Sequence, residues 1–134
     1  HMHTYFSGDS EAKPEEMVLA AIDKGLEAIC FTDHEDIDYF CDDIEFVFDP
    51  ETYFKELGAL KEKYKEKLDI RIGVEFGLQP HLAKKAKAFT AANPYDFVIG
   101  SMHVVGGKDP YYPDFFENLQ IGLQYLWYYF HFQN

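Results

Sequence analysis

Ala28-Ile29-Cys30-Phe31-Thr32-Asp33-His34 is a short, continuous apolar run that stops at two ionisable side chains. A run of this kind, too short for a helix and without polar alternation, reads as a strand buried on both faces of a parallel sheet. Its polar residues then fall at the carboxyl end, where open α/β sheets and βα barrels build their sites. Upstream, His1-Met2-His3-Thr4 carries two imidazoles at i and i+2. On an extended chain such side chains point to one face, so both can grip a single ion.

Outward from this stretch the same unit recurs. Pro14 occupies a first helical position, Glu15 and Glu16 favour the positive end of the dipole, and Gly25 after Lys24 is a terminator. The spacing predicts a helix over residues 14–24 with Met17, Leu19, Ala20, Ala21 and Ile22 inward. An acidic loop over 35–49 follows, and Asp49-Pro50-Glu51 reads as an N-cap with proline at N1. It opens a helix to about Lys67 with Tyr53, Leu57, Leu60, Tyr64 and Leu68 on one face. Residues 70–74 form the next strand, ending at Glu75. A lysine-bearing helix over 82–92 closes at Asn93-Pro94, and a strand over 97–101 leads to His103.

Strand and helix alternate in the rhythm of βα units around a parallel sheet with outer helices, which defines the α/β class. Singly, each polar strand-end residue has an ordinary reading. His1-Met2 fits an appended remnant and His3 a surface histidine. His34 fits an imidazole satisfied by a carbonyl, Glu75 a solvated carboxylate and His103 a turn cap. Together, at equivalent ends of one sheet, they point to a multinuclear metal site.

Length and charge bound the function. The 134 residues make one ordinary domain, about half of the ~250 of a typical (β/α)8 barrel. A net charge of −12 argues against sequence-independent nucleic-acid binding, which rests on Lys and Arg neutralising phosphates. It would also repel an anionic substrate unless bound cations reverse the local field. No run reaches the ~20 apolar residues of a membrane span. Cys30 and Cys41 form no CxxC pair, and with no apolar signal segment the expectation is free thiols and a cytoplasmic protein.

Residues 1–10, 16–25, Phe31-Thr32-Asp33-His34, Gly73-Val74-Glu75 and Val98-Ile99-Gly100-Ser101-Met102-His103 together resemble the polymerase-and-histidinol-phosphatase (PHP) family, most closely its histidinol-phosphatase branch. The likeness covers residues 1 to about 116. It implies about half of a distorted βα barrel and a di- or trinuclear site for zinc, manganese or iron. By that resemblance His1 and His3 bind a first ion with Glu75, which bridges to a second ion held by His103, while Asp9 and His34 serve a third. Asp33 would then either orient a neighbouring imidazole or cap the strand end. The implied reaction is attack of metal-activated water on a small phosphate monoester such as histidinol phosphate. No Ser or Cys nucleophile is needed. Lys108, in the loop after the fourth strand, is a candidate phosphate contact or a solvated lysine, and His81 beside Pro80 reads as a cap or surface residue.

Family members continue further and supply a late His and an Asp-x-His pair. Here residues 117–134 turn aromatic and lose their charge balance, and His131 is a further candidate ligand. A truncation, a divergent tail closing the half barrel, or completion by self-association through residues 115–132 each fits. The leading expectation is a phosphomonoesterase. The alternatives are a metal-binding but catalytically inactive interaction module and, against the charge, a nucleic-acid-directed relative.

Overall fold

The computed structural model describes residues 1–40 and 44–116, apart from the side chain of Asp114. The aromatic segment 117–134, and His131 with it, lies outside the described residues.

Helix α1 (Pro14–Asp23) starts at its proline and ends before Gly25, whose φ of 70° suits a residue without Cβ. Helix α2 (Pro50–Tyr64) is capped by Asp49, whose carboxylate accepts the Thr52 amide at 2.9 Å. Helix α3 (Ala83–Ala92) follows a single 3-10 turn over Pro80–Leu82. The strands are β1 (Ala28–Phe31), β2 (His34–Glu35), β3 (Asp69–Gly77) and β4 (Phe97–Ser101).

All pairings are parallel and all involve β3. Phe31 pairs with Ile72 and His34 with Glu75, so β1 and β2 keep one register along a single edge of β3. They are one strand broken at Thr32-Asp33. The Glu75 amide, donating to the Asp33 carbonyl at 2.9 Å, carries the ladder across the break. β4 takes the other edge, from Gly73↔Phe97 to Gly77↔Ser101. At Gly73 the neighbours come so close that an added Cβ would lie 2.5 Å from the Phe97 carbonyl oxygen and 2.9 Å from Thr32 Cγ2.

Residues 1–4 form no regular strand, contrary to the extended-strand expectation. A single backbone bond, Thr32 N–H to the Met2 carbonyl at 2.9 Å, sets them beside the end of β1. The lateral order is thus residues 1–4, β1/β2, β3, β4, following the sequence as in a barrel. Among the described residues no strand pairs the far edge of β4, and its Phe97 and Val98 stay exposed. The architecture is a partial α/β barrel.

α1 and α2 cover one face of this sheet. Val18, Ala21, Tyr53, Leu57 and Leu60 pack with Ile29, Phe31, Ile70 and Ile72. Full burial of each large aliphatic side chain contributes roughly 1.5–3 kcal/mol. On α2, Tyr53, Leu57 and Leu60 face the core as predicted and Tyr64 is partly buried, but the helix ends at Tyr64 rather than near Lys67, so Leu68 is buried in the turn that leads to β3. α1 is rotated from the expected orientation: Pro14, Val18 and Ala21 are buried at i, i+4 and i+7, whereas Leu19 and Ala20 face outward. β3 runs past the predicted end to Gly77 because β4 continues to pair with it, so Glu75 lies inside the strand.

The Tyr53 hydroxyl, fully buried on α2, sits 3.0 Å from Asp33 Oδ2 and 3.2 Å from the Gly73 carbonyl. Tyr53→Phe leaves the buried carboxylate one donor short and should lower unfolding free energy by about 1–3 kcal/mol in urea titrations. An unchanged midpoint would mean that this bond contributes nothing to stability.

Candidate metal centre

The site is held from behind by Asp33, which has no exposure. Its Oδ1 accepts the Thr4 amide at 2.5 Å, the Thr4 hydroxyl at 3.0 Å and the Ser7 hydroxyl at 3.0 Å, and its Oδ2 faces Tyr53. Ser7 Oγ in turn accepts the His34 amide at 2.9 Å. These bonds fix the irregular N-terminal segment against the β1/β2 break and bring His1 and His3 to the sheet's carboxyl edge. No imidazole is among the bonds described for Asp33, so of its two expected roles the geometry displays the strand-end one.

At that edge Glu75 is central. Its Oε2 lies 2.9 Å from His1 Nε2 and 3.0 Å from His3 Nε2, and the two imidazole nitrogens are 2.8 Å apart. Its Oε1 lies 3.2 Å from His103 Nε2. His3 Nδ1 is 3.0 Å from Asp9 Oδ2, which is 3.5 Å from His34 Nε2. Donor atoms thus gather in three groups, each within 4.8 Å: His1, His3 and Glu75; His3, Asp9 and His34; His34, Glu75 and His103. All six residues expected as ligands are brought together.

Asp36 joins them and was not anticipated. It is buried, with Oδ2 2.7 Å from His103 Nδ1 and 3.4 Å from His34 Nδ1. A signal existed: it stands two residues after His34 on extended chain and so shares its face. An imidazole fixed through Nδ1 by a carboxylate, with Nε2 aimed into the cluster, is the usual support of a metal-binding histidine.

The groups fit a divalent ion of borderline softness, since imidazole and carboxylate donors suit zinc, manganese and iron. Two buried atoms here, His34 Nδ1 and Asp36 Oδ1, have no hydrogen-bond partner. The adjoining cleft, of about 520 Å³, has no Lys or Arg among its described lining residues. Lys108 is outside that lining, although its neighbour Asp109 is part of it. His81 is remote in role, with Nε2 3.0 Å from Asp38 Oδ2.

The electrostatics follow from this crowding. The His103 imidazole is raised to about 10, by its bonds to Asp36 and Glu75, with burial opposing. Burial alone would raise Glu75, yet the His103 bond and the charge of His34 bring it down to about 2. Asp36 is likewise lowered despite burial, by His103 and His34, and His34 is raised despite burial, by Asp36, Glu75 and Asp9. Each group stabilises the charged form of its neighbour.

Histidines and carboxylates convergent at the carboxyl edge of a partial α/β barrel define the class: a parallel-sheet protein with a candidate polynuclear metal centre. The chain belongs to the PHP domain family, which matches residues 1–132. It is 38% identical to the histidinol-phosphatase of Lactococcus lactis over 111 residues, covering 83% of this chain and 40% of that protein. A probable histidinol-phosphatase of Deinococcus radiodurans is 32% identical over 135 residues, covering 96% of this chain and 52% of the relative. A crystal structure of the L. lactis histidinol phosphate phosphatase, complexed with zinc, L-histidinol and phosphate, superposes with a TM-score of 0.77 at 37% identity. The match covers 82% of this chain and 41% of that one. The chain therefore spans about half or less of the length of these relatives.

The stability contribution of His103 is complete below its ordinary value of 6.5 and is lost as pH rises through about 10. That of Glu75 is complete above 4.5 and is lost as pH falls through about 2. Chelator-treated protein should therefore gain most from this pair between pH 4.5 and 6.5. His103→Gln should remove about 1–3 kcal/mol there and flatten the alkaline decline, as read from denaturant midpoints across pH. A parallel pH profile for the variant would refute the coupling.

Proposed function

We propose that this chain carries the metal centre of a phosphomonoesterase acting on a small phosphate monoester, with histidinol phosphate the first candidate. The observation that carries the reading is the convergence of four imidazoles and three carboxylates on Glu75 and its neighbours. The relative of known structure, bound to zinc, L-histidinol and phosphate, supports the same reading.

In this proposal His1, His3 and Glu75 would hold one ion, Glu75 and His103 a second, and Asp9 and His34 a third. Zinc, manganese or iron suits the donors. Bound divalent ions supply Lewis acidity, bring the pKa of a water toward neutrality and offset charge on a phosphoryl group. Asp36 holds the His103 ring by Nδ1 so that Nε2 stays aimed inward. Glu75, anionic down to about pH 2, keeps both oxygens as acceptors throughout the physiological range. No Ser or Cys is among the described residues lining the cleft. A cytoplasmic setting suits this chemistry, and no described helix is long and apolar enough to cross a membrane.

One observation favours a second reading. The chain covers only 40% of its L. lactis relative, so a metal-binding but catalytically inactive module also fits. Elemental analysis and phosphate release, measured on the same sample, separate the two. The first reading expects at least one equivalent of transition metal and metal-stimulated phosphate release from histidinol phosphate. It also expects Glu75→Gln to lose about 100-fold or more of that activity, as when a metal's immediate surroundings are altered. Full occupancy without turnover selects the inactive module, and no bound metal defeats both.

A further inference from the structure

The three donor groups differ in what carries them. His34, Glu75 and His103 stand on or just beyond paired strands, whereas His1, His3 and Asp9 belong to a segment without a regular strand or helix. Among the described residues one backbone–backbone bond ties that segment to the sheet, from Thr32 N–H to the Met2 carbonyl. In a parallel ladder the next rung would run from the His34 amide to the Thr4 carbonyl. Here the chain turns instead, and the Thr4 carbonyl accepts the Ser7 amide at 2.9 Å. The His34 amide donates to the Ser7 hydroxyl oxygen, also at 2.9 Å. Ser7 Oγ thus stands in for a strand carbonyl.

The same hydroxyl donates to Asp33 Oδ1 at 3.0 Å, and Ser7 is only 2% exposed. Removing a buried hydroxyl that both donates and accepts leaves two partners short, an amide and a carboxylate. On its outer side the same turn is closed over by residues 44–45. A Cβ added at Gly8 would lie 2.3 Å from Ile44 Cγ2 and 2.4 Å from the Glu45 carbonyl oxygen. His34 keeps a second hold on the sheet, since it pairs with Glu75 in the β2–β3 ladder.

We propose that Ser7 is a positioning residue whose hydroxyl latches the segment carrying His1, His3 and Asp9. A divalent ion held through those residues then depends on Ser7, while one held through His34, Glu75 and His103 does not. The inference rests on the preceding metal reading and adds that the centre is built in two separable parts. A merely structural role for Ser7 predicts equal weakening of both.

The test is titration of the metal-free full chain with cobalt(II) alone near neutral pH, read by calorimetry and visible absorption in two backgrounds. His103→Gln leaves the groups that contain His3, and His3→Gln leaves the group of His34, Glu75 and His103. Ser7→Ala should weaken cobalt binding about tenfold or more in the first background and by no more than about twofold in the second. Thr4→Val keeps the side-chain shape and removes one donor to Asp33. It should show the same selectivity at about threefold, and it serves as the test if Ser7→Ala fails to fold. Equal loss in both backgrounds, loss in neither, or no cobalt bound by His103→Gln alone overturns the proposal. Wild-type protein that binds no cobalt overturns the metal reading and this proposal with it.

Discussion

The buried carboxylate of Asp33 is the constraint on which the site depends. A charge with no exposure is expensive unless hydrogen bonds replace its lost water, and here Thr4, Ser7 and Tyr53 supply them. Those donors come from the N-terminal segment and from α2, while the Asp33 backbone continues the ladder to Glu75. Satisfying one carboxylate therefore sets the positions of His1 and His3 relative to β3.

The central place of Glu75 follows from topology. Among the described strands only β3 is paired on both edges, so only its side chains have neighbours from two directions. Oε2 meets the histidines beside β1 and β2, and Oε1 meets His103 beyond β4. A residue on β4 could not bridge in this way within the described part of the chain. Placing Glu75 inside β3 also buries it, which strengthens each of its electrostatic contacts.

Much of this was legible in the sequence because it rests on local signals. Pro14, Asp49-Pro50 and the apolar run before Thr32 each act over a few residues, and they mark the helix starts and β1 well. The convergence of His34, Glu75 and His103 could be read because polar residues recur at strand ends, while the assignment of these and of His1, His3 and Asp9 to ions came from the family resemblance. What escaped depends on distant partners. Asp36 stands in a stretch whose acidic composition suggests a solvated loop, and only His103, far away in sequence, shows that it is buried and paired. Glu75 looked like a strand end because the extra length of β3 comes from pairing with β4. The rotation of α1 is likewise set by what Val18 and Ala21 meet rather than by the helix's own pattern.

Charge gives the site its particular logic. A chain of net charge −12 places three carboxylates around four imidazoles with no Lys or Arg among the described lining residues. The raised His103 and lowered Glu75 both reflect a surrounding that favours positive charge at His103 and negative charge at Glu75. Protons and a divalent ion would compete for the same nitrogen atoms, so the affinity of the candidate centre for metal would weaken as pH falls. The carboxylates serve both states, pairing with imidazolium in one and offsetting a cation in the other. That dual use accounts for the burial of Asp36 and Glu75 beside the histidines: at short range and low exposure a fixed negative charge both favours a cation and holds its ligands in place.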